Sequence, residues 1–530
     1  MSSKDRIVGS TIDIKALYYM ELNRLFLFFI FILTGLLYLL FNYKRPKNFP
    51  KGPWHLPFYG TTPIISRHDP NALVDLSRLS RTYGNVFSIS KGNRFIIVVC
   101  DFPDMKKFLV NNGLAFCGRP KYFETDDEKQ KILTRGLSHS NYSEEWRRQK
   151  KSCSYFCALL ERMNSTLESD IQTEITDLYK TLAIKKDSTV PIRKLFMKTS
   201  TNLLLKTLYN ERFPLTDTSG EQIYYMLYDL FEKISEVDSI KYNPLLYYHP
   251  NYKGKWKEYE RCLKLLRHFL EQRNIEHKTT VSDFAYKQKP KDFVQTYFQD
   301  LFFPIFNTPR SFKPNEDWLD DIVEDLIISG VEPISSALSW CIYYMIDNPS
   351  VQLKVQEELD SIIPEEKLPS LKDRHKLPFT EASVLESLRL GCIYPIAIPH
   401  ATLSRVTIDG RSIKRGTEVW LNLFATSRDP KLWEEPEEFV PERFLNDVRR
   451  VTIPEYWVPF GIGERSCAWQ QTSLVQIFLI FASIMKKFSF HTINASPLSS
   501  CHPIQGGLTR KPADFQISVS ARDHIFKDIE

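Results

Sequence analysis

The sequence predicts a mainly α-helical domain with small β-sheets, preceded by one N-terminal transmembrane helix. From about residue 140 to 390 the apolar residues mostly recur at helical spacing, which is typical of helices with one buried face. Short β-type runs lie on both sides of this part, at 85–90, at 94–100 and within 400–425. An order of little β, much α and little β predicts one helical domain with sheets at its edges.

The transmembrane helix is predicted from residues 25–41, a run of 17 residues without a charge. As a helix this run covers about 26 Å, just short of a ~30 Å hydrocarbon core, so Asn42 and Tyr43 are expected to complete the span. A cleaved signal peptide is the alternative, but no small-residue cleavage site follows the run. The chain is therefore divided into a lumenal N-terminus, 1–24, and an anchor, 25–43.

Four basic residues follow the anchor with no acidic residue among them: Lys44, Arg45, Lys47 and Lys51. The positive-inside rule places this side in the cytosol. Residues 44–60 are rich in proline, which cannot continue a helix, and are predicted to form a stiff hinge. Residues 61–530 are then the cytosolic domain, so the sequons at Asn141, Asn164 and Asn494 are expected to stay unglycosylated.

Apolar periodicity delimits four helices within this domain, at about 318–347, 349–363, 380–390 and 468–487. The first is the longest and carries most of its apolar residues without interruption. The last directly follows a glycine-rich loop that contains a cysteine.

Charge and cysteine content narrow the function classes. The 70 basic and 64 acidic residues leave a formal charge of +6, which is too balanced for the concentrated basic face of a nucleic-acid-binding protein. The nine cysteines are odd in number and irregularly spaced, in a chain large enough to fold without disulfides. A reducing compartment fits this pattern best.

The sharpest local feature is the loop Phe460-Gly-Ile-Gly-Glu-Arg-Ser-Cys467. Two glycines allow a loop to turn tightly and to approach a flat ligand closely. A cysteine at the start of a helix is held as thiolate by the helix dipole, and Arg465 can pair with a carboxylate beside it. One cysteine near glycines, taken alone, is better interpreted as a buried free thiol.

This loop resembles the haem-binding loop of the cytochrome P450 superfamily, F-x-x-G-x-R-x-C-x-G, at Phe460, Gly463, Arg465 and Cys467. The likeness extends over residues 45–520, with its pieces in the family's order, and is nearest the microsomal group with drug-metabolising and steroid-hydroxylase members. The resemblance implies the cytochrome P450 fold and a haem b whose iron is ligated by the Cys467 thiolate.

A second set of motifs has a structural role in the family. Glu386 and Arg389 match its E-x-x-R pattern, and Arg443 in Pro441-Glu-Arg-Phe444 matches its P-E-R-F element. The resemblance implies that these three residues form a buried network. We assign this network to folding and haem retention, not to catalysis.

A third set points to the haem propionates. Trp146 and Lys150 match the family's W-x-x-x-R/K helix, and His400 stands where a histidine or arginine reaches a propionate. The resemblance implies that these three side chains and Arg465 bind the two propionates.

The resemblance implies that residues 61–530 are a haem–thiolate catalytic domain at the endoplasmic reticulum membrane. The enzyme would be a monooxygenase that oxidises a lipophilic substrate, with a sterol or another lipid as candidates. It would use O₂ and electrons from NADPH, delivered by NADPH–cytochrome P450 reductase, with cytochrome b5 as a further candidate partner. Two alternatives stay open: a haem–thiolate isomerase or dehydratase of oxygenated lipids that needs no reductase, and a non-catalytic, vestigial haem-binding membrane protein.

The chain departs from the family pattern at two positions. On its long helix the family carries A/G-G-x-D/E-T, whereas this chain has Ser329-Gly-Val-Glu-Pro333. The proline removes an amide donor and is expected to kink the helix, and protons must then come through Glu332, Ser335, ordered water or the substrate. The second departure is Trp469, where the family has glycine or alanine; this side chain must turn away or shift the helix.

The resemblance also outlines two surfaces. Five segments are expected to line an apolar substrate pocket: 117–140, 200–245, 328–336, 393–398 and 506–509. A plain core is the alternative for such apolar stripes. A basic cluster is expected beside the cysteine, where it would dock an acidic electron donor or form a merely solvated helix face; it comprises Arg147, Arg148, Lys150 and Lys151.

Overall fold

The computed structural model describes residues 14–42, 44–56, 60–61, 72–92, 94–121, 136–162, 164–184, 190–215, 218, 220–237, 240, 244–284, 291–302, 316–493, 504–506, 509–512 and 515–522. These residues are mostly helical, with small sheets, as the sequence predicts.

The helices, in chain order, are α1 Ile14–Asn42, α2 Ala72–Tyr83, α3 Phe102–Lys106, α4 Gly113–Phe116, α5 Gly136–His139, α6 Glu144–Arg162, α7 Asn164–Ile184, α8 Ile192–Tyr209, α9 Glu221–Val237, α10 Pro250–Phe284, α11 Phe293–Phe302, α12 Glu316–Asp347, α13 Pro349–Ile362, α14 Pro378–Gly391, α15 Leu423–Thr426 and α16 Gln470–Lys487. A π-helical turn spans Lys107–Asn111, and 3₁₀ turns span Pro244–Tyr248, Arg374–Lys376, Pro441–Phe444 and Gly463–Arg465.

The strands are β1 Val86–Lys91, β2 Arg94–Val99, β3 Val190–Pro191, β4 His400–Ala401, β5 Val406–Ile408, β6 Arg411–Ile413, β7 Glu418–Leu421, β8 Phe488–Thr492, β9 Ile504–Gly506, β10 Thr509–Lys511 and β11 Gln516–Ala521. They form a four-stranded sheet in the order β1-β2-β7-β4, a three-stranded sheet in the order β3-β11-β8, and the pairs β5-β6 and β9-β10. In the largest sheet β2 and β7 are parallel, and Ile96 lies opposite Glu418.

The predicted bounds of α12, α13, α14 and α16 agree with the structure to within two residues at each end. The N-terminal helix begins at Ile14, before the uncharged run from which the anchor is predicted. Hydropathy delimits an apolar run, whereas a helix continues through polar residues that favour it. Glu21 and Arg24, whose side chains lie 3.8 Å apart one turn along the helix, are such residues.

The described residues contain one helix that is both long and apolar enough to cross a membrane, Trp318–Asp347. In an apolar 18-residue window of this helix, 67% of the residues lie inside the protein, as expected for a core helix. Its C-terminal half packs in one hydrophobic cluster with α14 and α16, and its N-terminal half packs in another with α8 and α10. The helix remains continuous through Pro333.

A buried ion network lies behind this core. Glu386 and Arg389 form a two-pronged pair on α14, with Nε–Oε2 at 2.7 Å and Nη2–Oε1 at 2.8 Å. Arg443 adds a bond from its Nε to Glu386 Oε1 at 2.9 Å, and the backbone N–H of Val440 donates to the same oxygen. The structure thus brings together the three residues that the E-x-x-R and P-E-R-F motifs supply.

A row of aromatic rings connects this network to the cysteine-containing loop. The guanidinium groups of the two arginines lie 5.0 and 6.0 Å from the Trp433 ring. Ring contacts continue from Trp433 to Phe444 at 5.8 Å, to Trp457 at 6.3 Å and to Phe460 at 6.0 Å. Because Phe460 begins the loop, the network and the loop form one packed unit.

We predict that Glu386→Gln destabilises the fold by about 3–5 kcal/mol, because two buried guanidinium groups lose their counter-charge. Glu442→Gln is the matched control in the neighbouring 3₁₀ turn, since it removes an ion pair with Lys354 (2.9 Å) whose two side chains are about half exposed. Its loss should be about 0–1 kcal/mol. Denaturant unfolding measures both, and equal losses would contradict the structural role of the network.

Candidate functional site

A large cavity lies between α12 and the loop 459–469. It encloses about 1690 Å³ of empty space, including the solvent space at its mouth. Residues of α6, α8, α12, α14 and α16 form its walls. The cysteine-containing loop and α12 therefore line one common cavity.

The loop holds Cys467 at one side of this cavity. The backbone N–H of Cys467 donates to the Phe460 carbonyl at 3.0 Å, and that of Ser466 donates to the Gly463 carbonyl at 3.1 Å. Gly461 and Gly463 have φ values of +72° and +75°, a left-handed conformation that glycine adopts without strain. These bonds close the loop and leave the Cys467 side chain open to the cavity.

Burial raises the pKa of the Cys467 thiol above its ordinary value, although the backbone N–H of Trp469 and the charge of Lys150 act in the opposite direction. The helix dipole does not reach it fully, because α16 begins at Gln470, three residues later. The sulfur therefore needs a positive partner to become a thiolate, and a coordinating metal ion supplies that charge.

Arg465 lies on the wall beside the cysteine and is partly buried. Its guanidinium donates to the carbonyls of Cys117, Leu137 and Ser140 at 2.8, 3.0 and 2.7 Å and stacks on the Trp146 ring at 3.8 Å. Within the residues described, Arg465 forms no ion pair with a carboxylate. Its charge is therefore solvated by backbone dipoles and not neutralised.

Arg119 stands on the same wall and was not among the residues predicted from the sequence. It is 8% exposed, and its side chain donates to the carbonyls of Ser138, Ile398 and Pro399 at 2.6, 3.0 and 3.0 Å. The signal that could have revealed it is an arginine directly after Gly118, in a segment expected to line the pocket.

Two further predicted residues complete this wall. Lys150 Nζ donates to the Glu464 carbonyl and lies 5.6 Å from the Trp146 ring. His400 is buried, and its Nδ1 lies 3.0 Å from the Phe116 carbonyl, so that nitrogen carries the proton. The structure thus brings Trp146, Lys150, His400 and Arg465 to one side of the cavity that Cys467 also lines.

The electrostatics of this wall favour an anion. Burial and the neighbouring Arg119 charge lower the pKa of Arg465 and the pKa of His400. The cationic forms of these side chains therefore repel one another. Asp325 is the one acidic side chain among the described lining residues, and it accepts the Ser138 N–H at 2.9 Å. An entering carboxylate would relieve the repulsion.

These observations test whether a haem fits. Haem requires a flat space, one axial ligand and donors for two propionates, and the cavity offers the Cys467 sulfur beside a wall of basic side chains. Arg465, Arg119 and Lys150 are placed to hold the propionates, and Trp146 positions Arg465 by stacking. His400, whose Nδ1 already donates to Phe116, would donate to a propionate through Nε2 once that carboxylate favours the protonated ring. The residues present therefore fit the group that the motifs imply.

The opposite wall is formed by α12 and lacks the two residues predicted to handle protons. Gly330, Ile334 and Ala337 line the cavity, but Glu332 and Ser335 do not. At 100° per residue these two positions lie on the far side of the helix. The Ser335 hydroxyl instead donates to the carbonyl of Glu332 at 2.9 Å.

Glu332 belongs to a separate buried ion cluster. Its Oε1 lies 3.4 Å from Lys511 Nζ and 3.8 Å from Arg193 Nη2, and both cations also approach Glu232, at 2.7 and 3.3 Å. Burial raises the pKa of the Glu332 carboxyl despite these two cations. The carboxyl is therefore directed away from the cavity and into charge-balanced surroundings.

The predicted pocket segments contribute unequally. Four supply lining residues: 117–140 through Arg119, Leu137 and Ser138, 200–245 through Ser200 and Leu204, 328–336 through Ser329, Gly330, Pro333 and Ile334, and 393–398 through Ile393, Tyr394, Ala397 and Ile398. The described residues of 506–509 supply none. Residues 122–135 lie outside the described part of the chain.

Trp469 turns away from the loop without breaking it. Its indole packs against Phe156 of α6 at 6.0 Å and Phe293 of α11 at 6.4 Å. The bulky side chain is therefore accommodated by local packing at the edge of the cavity, and Cys467 keeps its place.

The sequence matches a known family and several characterised proteins over most of its length. The family model described as Cytochrome P450 matches residues 50–519. Cytochrome P450 2U1 of Rattus norvegicus is 31% identical over 476 residues, which are 87% of this chain and 84% of that protein. Steroid 17-alpha-hydroxylase/17,20 lyase of Gallus gallus is 28% identical over 86% of this chain and 88% of its own length. Cytochrome P450 18a1 of Drosophila melanogaster is 25% identical over 95% and 92%.

We predict that Gly463→Ala destabilises the loop more than Gly461→Ala. A Cβ at Gly463 would lie 2.2 Å from the Leu109 carbonyl oxygen, whereas one at Gly461 would have its nearest neighbour at 3.9 Å. Both substitutions strain a left-handed residue by about 1 kcal/mol, but the first also displaces backbone. Thermal unfolding of the two variants measures the difference. Indistinguishable midpoints would show that the π-helical turn, which contains Leu109, shifts at no energetic cost.

Proposed function

The chain belongs to the cytochrome P450 family of haem–thiolate monooxygenases, and from this we propose that it oxidises a lipophilic substrate with O₂ and electrons from NADPH–cytochrome P450 reductase. The observation that carries the proposal is the cavity that Cys467 shares with a buried wall of basic side chains. Bound haem would supply the iron chemistry of dioxygen, to which a cysteine thiolate donates electron density.

The residues of the chain have three tasks around this group. Cys467 Sγ would hold the iron, and Arg465, Arg119, Lys150 and His400 would hold the propionates. The α12 wall presents apolar surface to the cavity through Leu326, Ile334 and Ala337. The ion network of Glu386, Arg389 and Arg443 keeps the loop in position and touches no substrate.

The substrate class is proposed from the remaining walls. Leu204, Ile393, Ala397 and Ile398 add to the apolar lining, and an apolar pocket with few polar groups binds apolar ligands. One relative is named a steroid hydroxylase. We therefore propose a sterol or another lipid as substrate.

The docking face for the electron donor is smaller than the sequence suggested. Lys150 is turned inward to the Glu464 carbonyl and the Trp146 ring, so the outward basic residues of α6 are Arg147, Arg148 and Lys151. An acidic donor, the reductase or cytochrome b5, would approach this face beside the cysteine loop.

Membrane attachment is proposed through α1. The described side chains of residues 21–35 are exposed, and Phe31 reaches 76%. The apolar side chains among them are not covered by other described residues, which supports contact with lipid. The proposed arrangement is residues 1–24 in the lumen, a single-pass anchor 25–43 in the endoplasmic reticulum membrane, a hinge 44–60 and a cytosolic catalytic domain 61–530.

We predict that the protein shows a thiolate-type Soret band when it is reduced and exposed to carbon monoxide, and that Cys467→Ser loses this band because an alcohol does not replace the thiolate. Cys117→Ser is the control, since the Cys117 side chain does not line the cavity. Lipid oxidation should require both NADPH and the reductase. Product from a lipid hydroperoxide without reductant would favour an isomerase, which Pro333 makes a second candidate, and absence of the band in wild type would favour a vestigial protein.

We predict that the full chain stays with membranes during alkaline carbonate extraction and that residues 44–530 alone are released, because the anchor supplies the hydrophobic contact. Immunoblots of pellet and supernatant measure the partition. Release of the full chain would show that α1 does not cross the bilayer.

A further inference from the structure

The helix next to α12 carries a buried serine on the cavity wall. On α12 itself Pro333 stands where the family has a threonine. Ser200 on α8 is 1% exposed and lines the cavity that Cys467 lines, and its hydroxyl has no hydrogen-bond partner among the described residues. We propose that Ser200 holds an ordered water molecule between α8 and α12, and that this pair carries protons to the cavity in place of the threonine that Pro333 replaces. The inference rests on the proposed monooxygenase function.

The packing of α8 on α12 places Ser200 close to the altered segment. Ser200 is one turn from Leu204, whose Cδ2 would lie 3.0 Å from a Cβ added to Gly330. Two turns earlier on the same face of α8, Arg193 approaches Glu332 at 3.8 Å. Ser200 therefore stands between the buried ion cluster and the cavity.

Pro333 supplies a second polar group for the water. A proline has no N–H, so the Ser329 carbonyl lacks the donor that an α-helix places four residues later. Both Ser329 and Pro333 line the cavity. A buried hydroxyl without a partner is unfavourable, and a buried water that bonds it typically makes about two to four hydrogen bonds, for which the Ser329 carbonyl offers an acceptor.

The relay needs no charged form of Ser200. The Ser200 oxygen accepts one proton on a lone pair while its own proton passes to the water, so one proton enters and one leaves. Only O–H bonds are exchanged, and the serine ends neutral with its hydrogen-bond direction reversed. No oxidant or reductant takes part in this step.

Ser329 is the rival hydroxyl, because it also lines the cavity. It differs from Ser200 in being only partly buried, and a serine within a helix can bond the carbonyl four residues back. Comparing Ser200→Ala with Ser329→Ala decides between them.

The first test is structural and does not depend on turnover. A crystal structure of the full haem-loaded chain, at a resolution that shows waters, should contain a water within about 3.2 Å of Ser200 Oγ. The same water should be lost in Ser200→Ala. Absence of this water in the wild-type density overturns the proposal whether or not the protein is a monooxygenase.

The second test measures proton delivery, with progesterone as the probe lipid, in membranes that contain reductase and NADPH. Ser200→Ala should raise the hydrogen peroxide released per NADPH oxidised on the order of tenfold. This is less than the ~10²–10⁴ that a positioned acid or base contributes, because water can partly replace a neutral hydroxyl. The solvent deuterium isotope effect on turnover should rise as well, and Ser200→Thr should restore both values.

Thr201→Val is the matched control. It deletes a neighbouring buried hydroxyl that is already bonded to the Met197 carbonyl at 2.8 Å, so coupling should stay at the wild-type value. An unchanged ratio in Ser200→Ala, or the same rise in Ser329→Ala alone, contradicts the relay. A wild type that makes no NADPH-dependent product contradicts the proposed function, and the relay with it. The presence of the water is then still tested by the electron density of the crystal structure.

Discussion

The carboxylate of Glu386 is the constraint on which the site depends. Burying an ion pair is favourable only when the remaining donors and acceptors are also satisfied, and all five N–H groups of Arg389 are used here. Two go to Glu386, and three go to the carbonyls of Ser427, Pro436 and Glu438. This single guanidinium therefore ties α14 to the segment that leads into the cysteine loop. The position of Cys467 follows from a network that never touches the ligand.

The arginine on the cavity wall beside the cysteine is arranged in the opposite way. Arg465 donates to backbone carbonyls, which satisfy its N–H groups without cancelling its charge. The first network is closed by its own carboxylate, whereas this wall stays positive and is completed by an anion from outside. Binding of a dianionic haem should therefore add to the stability of the fold, because the folded chain binds it and the unfolded chain does not. Folding and cofactor binding are coupled through charge.

Site residues could be predicted from the sequence where they lie close together along the chain. Phe460, Gly463, Arg465 and Cys467 share one loop, and Glu386 and Arg389 are one helical turn apart, so local pattern was enough. Arg119 and Ser200 reach the cavity only through tertiary packing. Ser200 lies in a helix whose residues are nearly all buried, and periodicity does not distinguish it there. Helical spacing alone indicates that Glu332 and Ser335 face away from the cavity. The prediction that they handle protons followed the family's acid–threonine pattern instead.

Pro333 separates what the fold needs from what the chemistry needs. The 32-residue helix α12 tolerates the loss of one backbone hydrogen bond, because packing against α8, α10, α14 and α16 holds both of its halves. No such compensation exists for a missing hydroxyl, since a proton carrier must lie within hydrogen-bond reach of the next one. The same proline, however, leaves the Ser329 carbonyl without its helical donor and thereby creates an acceptor at the cavity wall. The proline that removes the threonine hydroxyl from α12 thus leaves a carbonyl to which a water can donate. The neighbouring helix α8 supplies a buried hydroxyl, that of Ser200, at the same wall.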